Sequence, residues 1–302
     1  MRAITYRRFG GPEVLELSQL APKEPAAGEV RVRVRAASVN PLDVKIRRGD
    51  LPDFPARFPI TPGLDVSGVI DAIGDGVSDV CPGDEILGVA PSGAYAECAL
   101  ARAWTPKPEH LSWELAACLP TVGEAAFRTL KHLDIAAGET LLIHGAAGSV
   151  GAIATQLAVG RGITVIASVR EADAEHARAL GAIPVRYGDG LVDRVRAVAP
   201  DGVDAVLDTA GRGVLPDSIE LAGGPERVIT IADPAAGRYG VRFTGADPTD
   251  RAWEALPQLA ELAAAGKLAV EIWRTYPLAD ARKAHEDIEA GHNHGKIVLI
   301  PE

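Results

Sequence analysis

The chain has 302 residues, 47% apolar and 24% charged, with a formal net charge of −10. That length allows two domains with full cores, and the balance of residue types is an ordinary globular one. The acidic surplus excludes nucleic acid and anionic membranes as main partners, since both need a basic face, but it leaves room for a local phosphate pocket.

Residues 1 to about 100 are rich in turns and short strands. The segment Met1 to Arg8 lacks the apolar stretch of a signal peptide. Val30 to Arg35 alternates valine and arginine, the pattern of a strand with one wet face. Further strand candidates lie at Gly63 to Ile73 and Asp84 to Val89, separated by glycine and proline turns. Such spacing predicts a compact small-strand barrel. Cys81, Cys98 and Cys118 form no CxxC pair and no cysteine/histidine cluster, which predicts buried thiols in a reducing cytoplasm and no structural zinc. From Leu111 the pattern turns helical: Ser112 can cap a helix through Ala117, and Thr121 to Leu133 carries a second one.

Thr140 to His144 is an apolar run suited to a buried strand. Gly145 to Gly151 follows, then a helical segment to Val159 and a second strand from Ile163 to Ala167. Strand, glycine turn, helix and strand make a βαβ unit. In that unit Gly148, Ser149, Val150 and Gly151 would cradle a pyrophosphate at the positive end of the helix. Strands and helices then alternate to about residue 267, predicting an α/β, doubly wound parallel sheet with the cofactor at the carboxyl ends of its strands. The tail returns to strand, helix and strand, ending in Lys296 to Ile300. The longest uncharged stretch, Gly145 to Gly160, falls short of the ~20 residues that span a bilayer. The expectation is a soluble cytoplasmic protein.

Several segments resemble a known family in order along almost the whole chain. They are Ala37 to Lys45, Pro62 to Gly68, Pro82-Gly83-Asp84, His144 to Gly151, Ala179 to Ala182, and Gly291 to Leu299. The chain resembles the zinc-independent branch of the medium-chain dehydrogenase/reductase superfamily, the quinone oxidoreductase (zeta-crystallin-like) group. That resemblance implies a GroES-like β-barrel catalytic domain over residues 1–117, completed by 268–302, and a Rossmann cofactor domain over 118–267. It also implies an active site in the cleft between them, and a homodimer in which a strand near Tyr239 to Thr244 meets its copy. The zinc-dependent relatives carry a cysteine where this chain has Asn40 and a histidine where it has Leu64. An amide and an alkyl group are not zinc ligands, and Asp65 alone cannot hold the ion. The seven histidines, His292 and His294 included, lack metal-ligand spacing. No metal is expected.

About 20 residues beyond the glycine turn, NAD-specific folds carry an acidic residue for the ribose hydroxyl. Here the stretch is Ser168-Val169-Arg170, neutral then basic, which suits a 2′-phosphate and predicts NADPH over NADH. Glu171 and Asp173 work against that field. By resemblance, Tyr187 lies beside the phosphate, the alternative being a half-buried strand-end tyrosine. Resemblance also puts Thr209 and Ala210, and Ile231 and Ala232, beside the nicotinamide and its ribose.

Without metal, the nicotinamide supplies the reactivity and the protein supplies position and field. Hydride needs an electron-poor acceptor, a quinone or an enone, whose oxygen then gains negative charge. Asn40 and Lys45 are the candidate catalytic donors, though Lys45 could equally cover surface with its stem. Asp43 is expected to anchor the loop through backbone hydrogen bonds. Many relatives carry tyrosines in this loop where the present chain has Lys45 and, roughly, Leu51. The apolar stretch Asp50 to Phe58, with Pro52, Phe54 and Pro55, favours a flat or hydrophobic electrophile. Three functions stand at this point: a quinone reductase, an enoyl-thioester or enone reductase, and an NADPH-binding protein with little turnover.

Overall fold

The computed structural model describes residues 1–51, 57–245, 247–291 and 295–301. Pro52, Phe54 and Pro55 of the apolar loop, and His292 and His294, lie outside the described residues. The chain divides into two compact units, Met1–Thr121 with Trp253–Glu302, and Val122–Ala252. Packing therefore places 118–121 and 253–267 with the first unit, whereas the sequence bounds fell at 117 and 268.

The first unit opens with an antiparallel pair, β1 (Arg2–Thr5) and β2 (Glu16–Gln19). Next come β3 (Val30–Val39), α1 (Pro41–Arg48), β4 (Asp65–Ile73), β5 (Glu85–Val89), β6 (Cys98–Ala101), β7 (Ala103–Pro106) and α2 (Trp113–Ala117). In β3 the valines face the core, while Arg33 and Arg35 are exposed, as the alternation predicts. Burying each valine stabilises the fold by roughly 1.5–3 kcal/mol. Arg31 spends its charge on Asp71 and Glu24 at the surface. Ser112 caps α2 by accepting a hydrogen bond from Leu115 N–H. The sequence predicts a loop after Asn40, whereas the structure forms α1. Its start signals were present: an asparagine at the N-cap, a proline in the first turn and an aspartate in the first turn. Of the thiols expected to be buried, only Cys118 is, with Cys98 half-buried and Cys81 exposed; all are unpaired.

The second unit begins within α3 (Pro120–Leu133) and carries β8 (Thr140–His144), α4 (Ser149–Gly160), β9 (Thr164–Val169), α5 (Ala174–Ala179) and β10 (Ile183–Arg186). It continues through α6 (Leu191–Val198), β11 (Ala205–Asp208), α7 (Leu215–Ala222), β12 (Val228–Thr230) and β13 (Arg242–Phe243). Among the described residues its sheet runs β10-β9-β8-β11-β12-β13, every pairing parallel. The order steps outward from β8 in one direction and then the other. The reversal puts a topological switch point at the carboxyl ends of β8 and β11, where ligands of such sheets bind. The proposed dimer strand from Tyr239 to Thr244 is shorter than expected, since a 3-10 turn occupies Ala236–Tyr239.

From Trp253 the chain returns to the first unit, with α8 (Leu256–Ala264), β14 (Ile272–Pro277), α9 (Ala281–Ala290) and β15 (Lys296–Ile300). The sheet there runs β14-β15-β3-β4-β5-β7, with β6 also pairing β3. β15 lies antiparallel to β3, with Ile297 opposite Val39 and Leu299 opposite Ala37. The tail thus completes the first unit's core around Val30, Val32, Ile70, Ile297 and Leu299. Among the described residues no helix is long and apolar enough to cross a membrane.

Candidate functional site

The turn between β8 and α4 is built by two glycines that admit no side chain. Gly145 has φ +73°, and a Cβ there would lie 2.7 Å from Thr209 Oγ1. At Gly151 a Cβ would fall 2.4 Å from Gly145 O and 2.7 Å from Ala146 Cα. The helix therefore starts hard against the turn. Gly148 is its N-cap, and the first intrahelical bond runs from Ala152 N–H to Gly148 O at 2.8 Å. Ser149, Val150 and Gly151 thus bring first-turn N–H groups together at the positive end of α4, the arrangement that binds phosphate.

The other predicted cofactor residues of this unit gather at the carboxyl ends of its strands. Ser168 and Val169 end β9, and Tyr187 follows β10 with its N–H on Val169 O. Ser168 is buried, whereas Tyr187 is 45% exposed. Arg170 is not free: Nε and Nη2 grip Asp173 at 2.7 and 3.2 Å. That hydrogen-bonded carboxylate raises the guanidinium's pKa, and Nη1 has no partner among the described residues. Asp208 braces the next two loops. One oxygen accepts from Ala210 N and Gly211 N, and the other from Thr230 Oγ1. Ile231 N–H meets Asp208 O, and Ala232 N–H meets Thr230 Oγ1. Thr209 Oγ1 donates to His144 O at 2.7 Å, tying its loop to the glycine turn. Beneath them burial pushes the His144 pKa down to about 4, against the pull of Asp208. Ser218 Oγ donates to Val214 O, so the bond between His144 Nε2 and that hydroxyl is one the imidazole donates.

In the first unit Asn40 sits at the head of α1, buried to 2% exposure. Its side chain does not cap the helix. Nδ2 donates to Asp65 Oδ2 at 2.9 Å, and Oδ1 accepts from Lys296 Nζ at 2.6 Å. Asp65 is fully buried and also accepts from Ser38 Oγ and from Thr121 N and Oγ1. Lys45 lies on the exposed side of α1, with no partner among the described residues. The cation that meets Asn40 is Lys296, and the sequence reading missed it. A signal existed: one lysine heading an otherwise apolar strand is rarely buried without a polar partner.

Asp43 anchors this segment, as expected, by accepting Asn40 N–H on Oδ2 at 2.8 Å. The same oxygen accepts from Tyr95 Oη, and Oδ1 is buried without a partner among the described residues. Behind Tyr95 a directed chain continues, which the sequence did not reveal. Arg47 donates to His285 Nδ1 at 2.8 Å, so His285 Nε2 carries the proton given to Tyr95. Burial first, and then the Arg47 charge, hold His285 down to about 3. Burial lifts Asp43 to about 7. Between about pH 4 and 7 the folded protein therefore keeps an Asp43 proton that the unfolded chain has lost, and stability from this group falls as pH rises. His285 acts oppositely, losing stability as pH falls from about 6.5 towards 3. Asp43→Asn removes the first effect alone. In urea titrations, wild-type stability minus variant stability should fall by a few kcal/mol between about pH 4 and 8. A difference independent of pH would show that Asp43 titrates normally.

The family described as Alcohol dehydrogenase GroES-like domain matches residues 26–126, and the one described as Zinc-binding dehydrogenase matches 180–299. The quinone oxidoreductase of Rattus norvegicus is 34% identical, covering 99% of this chain and 98% of its own length. That of Salmonella typhimurium is 32% identical and covers 99% of both. Among solved structures, the Escherichia coli quinone oxidoreductase complexed with NADPH has a TM-score of 0.89 at 27% identity, covering 100% of both chains. The Coxiella burnetii quinone oxidoreductase has a TM-score of 0.88 at 33% identity, covering 100% of this chain and 99% of its own. Zinc does not fit the donors present: Leu64 offers no lone pair, and the Asn40 amide is spent on Asp65 and an ammonium. Among the described residues no three His, Cys, Asp or Glu side chains cluster closely enough to hold a metal. With relatives of this identity spanning nearly all of it, the chain belongs to the quinone oxidoreductase branch of the medium-chain dehydrogenase/reductase family.

Proposed function

We propose that this protein is an NADPH-dependent oxidoreductase that passes hydride to a quinone or a similar activated alkene or carbonyl, without a metal. The observation that carries the reading is the glycine-cradled first turn of α4, opening at the switch point of a parallel sheet. The E. coli relative complexed with NADPH supports the cofactor. When bound, the reduced nicotinamide supplies the hydride. Ser149, Val150 and Gly151 N–H groups hold the pyrophosphate. Arg170 Nη1, with Ser168, Val169 and Tyr187 around it, meets the 2′-phosphate. Thr209, Ala210, Ile231 and Ala232 flank the nicotinamide and its ribose with backbone fixed by Asp208 and Thr230. Asn40 donates to the acceptor oxygen as it turns negative, with exposed Lys45 the second candidate donor. The oxygen takes its proton from solvent. An enoyl-thioester or enone reductase uses the same groups with another acceptor, and a binding protein with little turnover uses only the cofactor half.

Following NADPH consumption with para-benzoquinone and with a crotonyl thioester separates the three readings. Rapid turnover with the quinone supports the proposal, turnover with the thioester alone supports the second reading, and tight binding without turnover the third. Arg170→Glu should lower the preference for NADPH over NADH by about 10- to 100-fold, the worth of a charge-assisted hydrogen bond. A full preference in that variant would remove Arg170 from the site. We also read the protein as a cytoplasmic homodimer joined at the β13 edge, where Tyr239 and Phe243 are exposed. Sedimentation as a monomer, or recovery in a membrane fraction, would end that reading.

A further inference from the structure

We propose that Lys296 is a positioning residue for the reduction: it fixes the Asn40 amide so that the group offered to an acceptor is an N–H backed by a full positive charge. The inference rests on the hydride-transfer reading above.

Sheet register brings the two residues together. β15 runs antiparallel to β3 with Ile297 opposite Val39, so the next pair outward is Lys296 and Asn40. The lysine side chain is 3% exposed, and Nζ reaches Asn40 Oδ1 at 2.6 Å and Val39 O at 3.4 Å. An ammonium has donors and no acceptor, so the Asn40 atom facing it must be oxygen. The Asp65 carboxylate, already taking Ser38 Oγ and both Thr121 donors, can only accept, so the atom facing it must be nitrogen. Both neighbours therefore assign the amide the same way, and one N–H is left over.

Burying an ammonium costs several kcal/mol, and an apolar side chain heading Ile297–Ile300 would pack at no such cost. The charge has a use in the chemistry. As hydride arrives, negative charge grows on the acceptor oxygen, and a fixed donor stabilises it without reorganising. An amide whose carbonyl is already hydrogen-bonded to a cation is a stronger donor. Lys296 itself neither gains nor loses a proton. The acceptor gains two electrons with the hydride, the nicotinamide is oxidised, and solvent protonates the oxygen.

The test is single-turnover hydride transfer from NADPH to para-benzoquinone in Lys296→Met, Lys296→Arg, Asn40→Leu and the Met/Leu double variant. NADPH affinity and the NMR signal of the Asn40 side-chain amide are measured beside it. Lys296→Met should slow transfer by about 10- to 100-fold, the effect of a misplaced group, with NADPH affinity unchanged and the amide signal shifted. Lys296→Arg should regain most of the rate, and the double variant should be no slower than Asn40→Leu alone. An unchanged rate in Lys296→Met, or purely additive losses, overturns the proposal. Should Lys296→Met not fold, Lys296→Gln decides, because it keeps a donor and loses the charge: a full rate there overturns the proposal. Failure of both to fold makes the residue structural and also overturns it. A wild-type protein inert toward the quinone overturns the function itself and takes this inference with it; an active wild type with unaffected variants overturns the inference alone.

Discussion

Gly151→Ala is expected to weaken NADPH binding by about 10- to 100-fold, because one methyl group must be forced into backbone. Its Cβ would lie 2.4 Å from Gly145 O, and no rotamer change can relieve a clash between Cβ and a carbonyl. Either the first turn of α4 lifts away or the β8 turn opens. In both cases the N–H groups of Ser149, Val150 and Gly151 lose their common aim. The control lies in the same helix. A Cβ at Gly160 meets nothing within 4 Å, so Gly160→Ala should bind NADPH as wild type does and gain up to about 1 kcal/mol of stability. Fluorescence titration of NADPH with both variants makes the comparison, and equal affinities would remove the turn from the cofactor site.

The second large effect is expected at Asp65, in a part of the chain with no glycine motif. Asp65→Ala deletes the acceptor of bonds from Ser38 Oγ, Asn40 Nδ2 and Thr121 N and Oγ1, and leaves those donors facing an alkyl group. Leaving buried donors unsatisfied in this way costs about 1–3 kcal/mol each, several kcal/mol in all. In a unit of this size the loss lowers the melting temperature by on the order of 10 °C. Asp65→Asn should cost less, since its amide oxygen still accepts from one side, although its NH₂ then faces donors on the other. Thermal unfolding of both variants tests the ranking. Equal melting temperatures in wild type and Asp65→Ala would mean that the carboxylate contributes nothing.

The strand, glycine turn and helix of the proposed cofactor half were legible because their information is local. A strand, a glycine turn and a helix follow one another within Thr140 to Gly160, and the spacing alone gives Gly148 to Gly151 their place. Resemblance is what marks Asn40 and Leu64 as the positions where zinc-dependent relatives carry ligands, and their side chains can then be judged before any fold is known. What stayed hidden depends on pairings between distant segments. Lys296 meets Asn40 only through the register of β15 on β3. The run from Arg47 through His285 and Tyr95 to Asp43 joins α1, α9 and the loop before β6. No periodicity within one segment encodes such contacts. Arg170 lies between these cases. Its position was readable and so was the acidic company, but only the geometry shows two of its nitrogens already held by Asp173.

The return of the tail to the first unit also sets an order of events during synthesis. Val122–Ala252 is one uninterrupted stretch, so every strand of its sheet is available as soon as that stretch has left the ribosome. The first unit has to wait. Its central strand β3 pairs β4 along one edge and β6 over Val30–Arg33, but Ala37–Val39 stay unpaired until β15 arrives, more than half a chain later. The buried lysine comes with that strand, so Asn40 acquires its ammonium in the last step that closes the sheet. A nascent chain thus holds the finished glycine turn of α4 while the proposed Asn40–Lys296 centre is still unassembled.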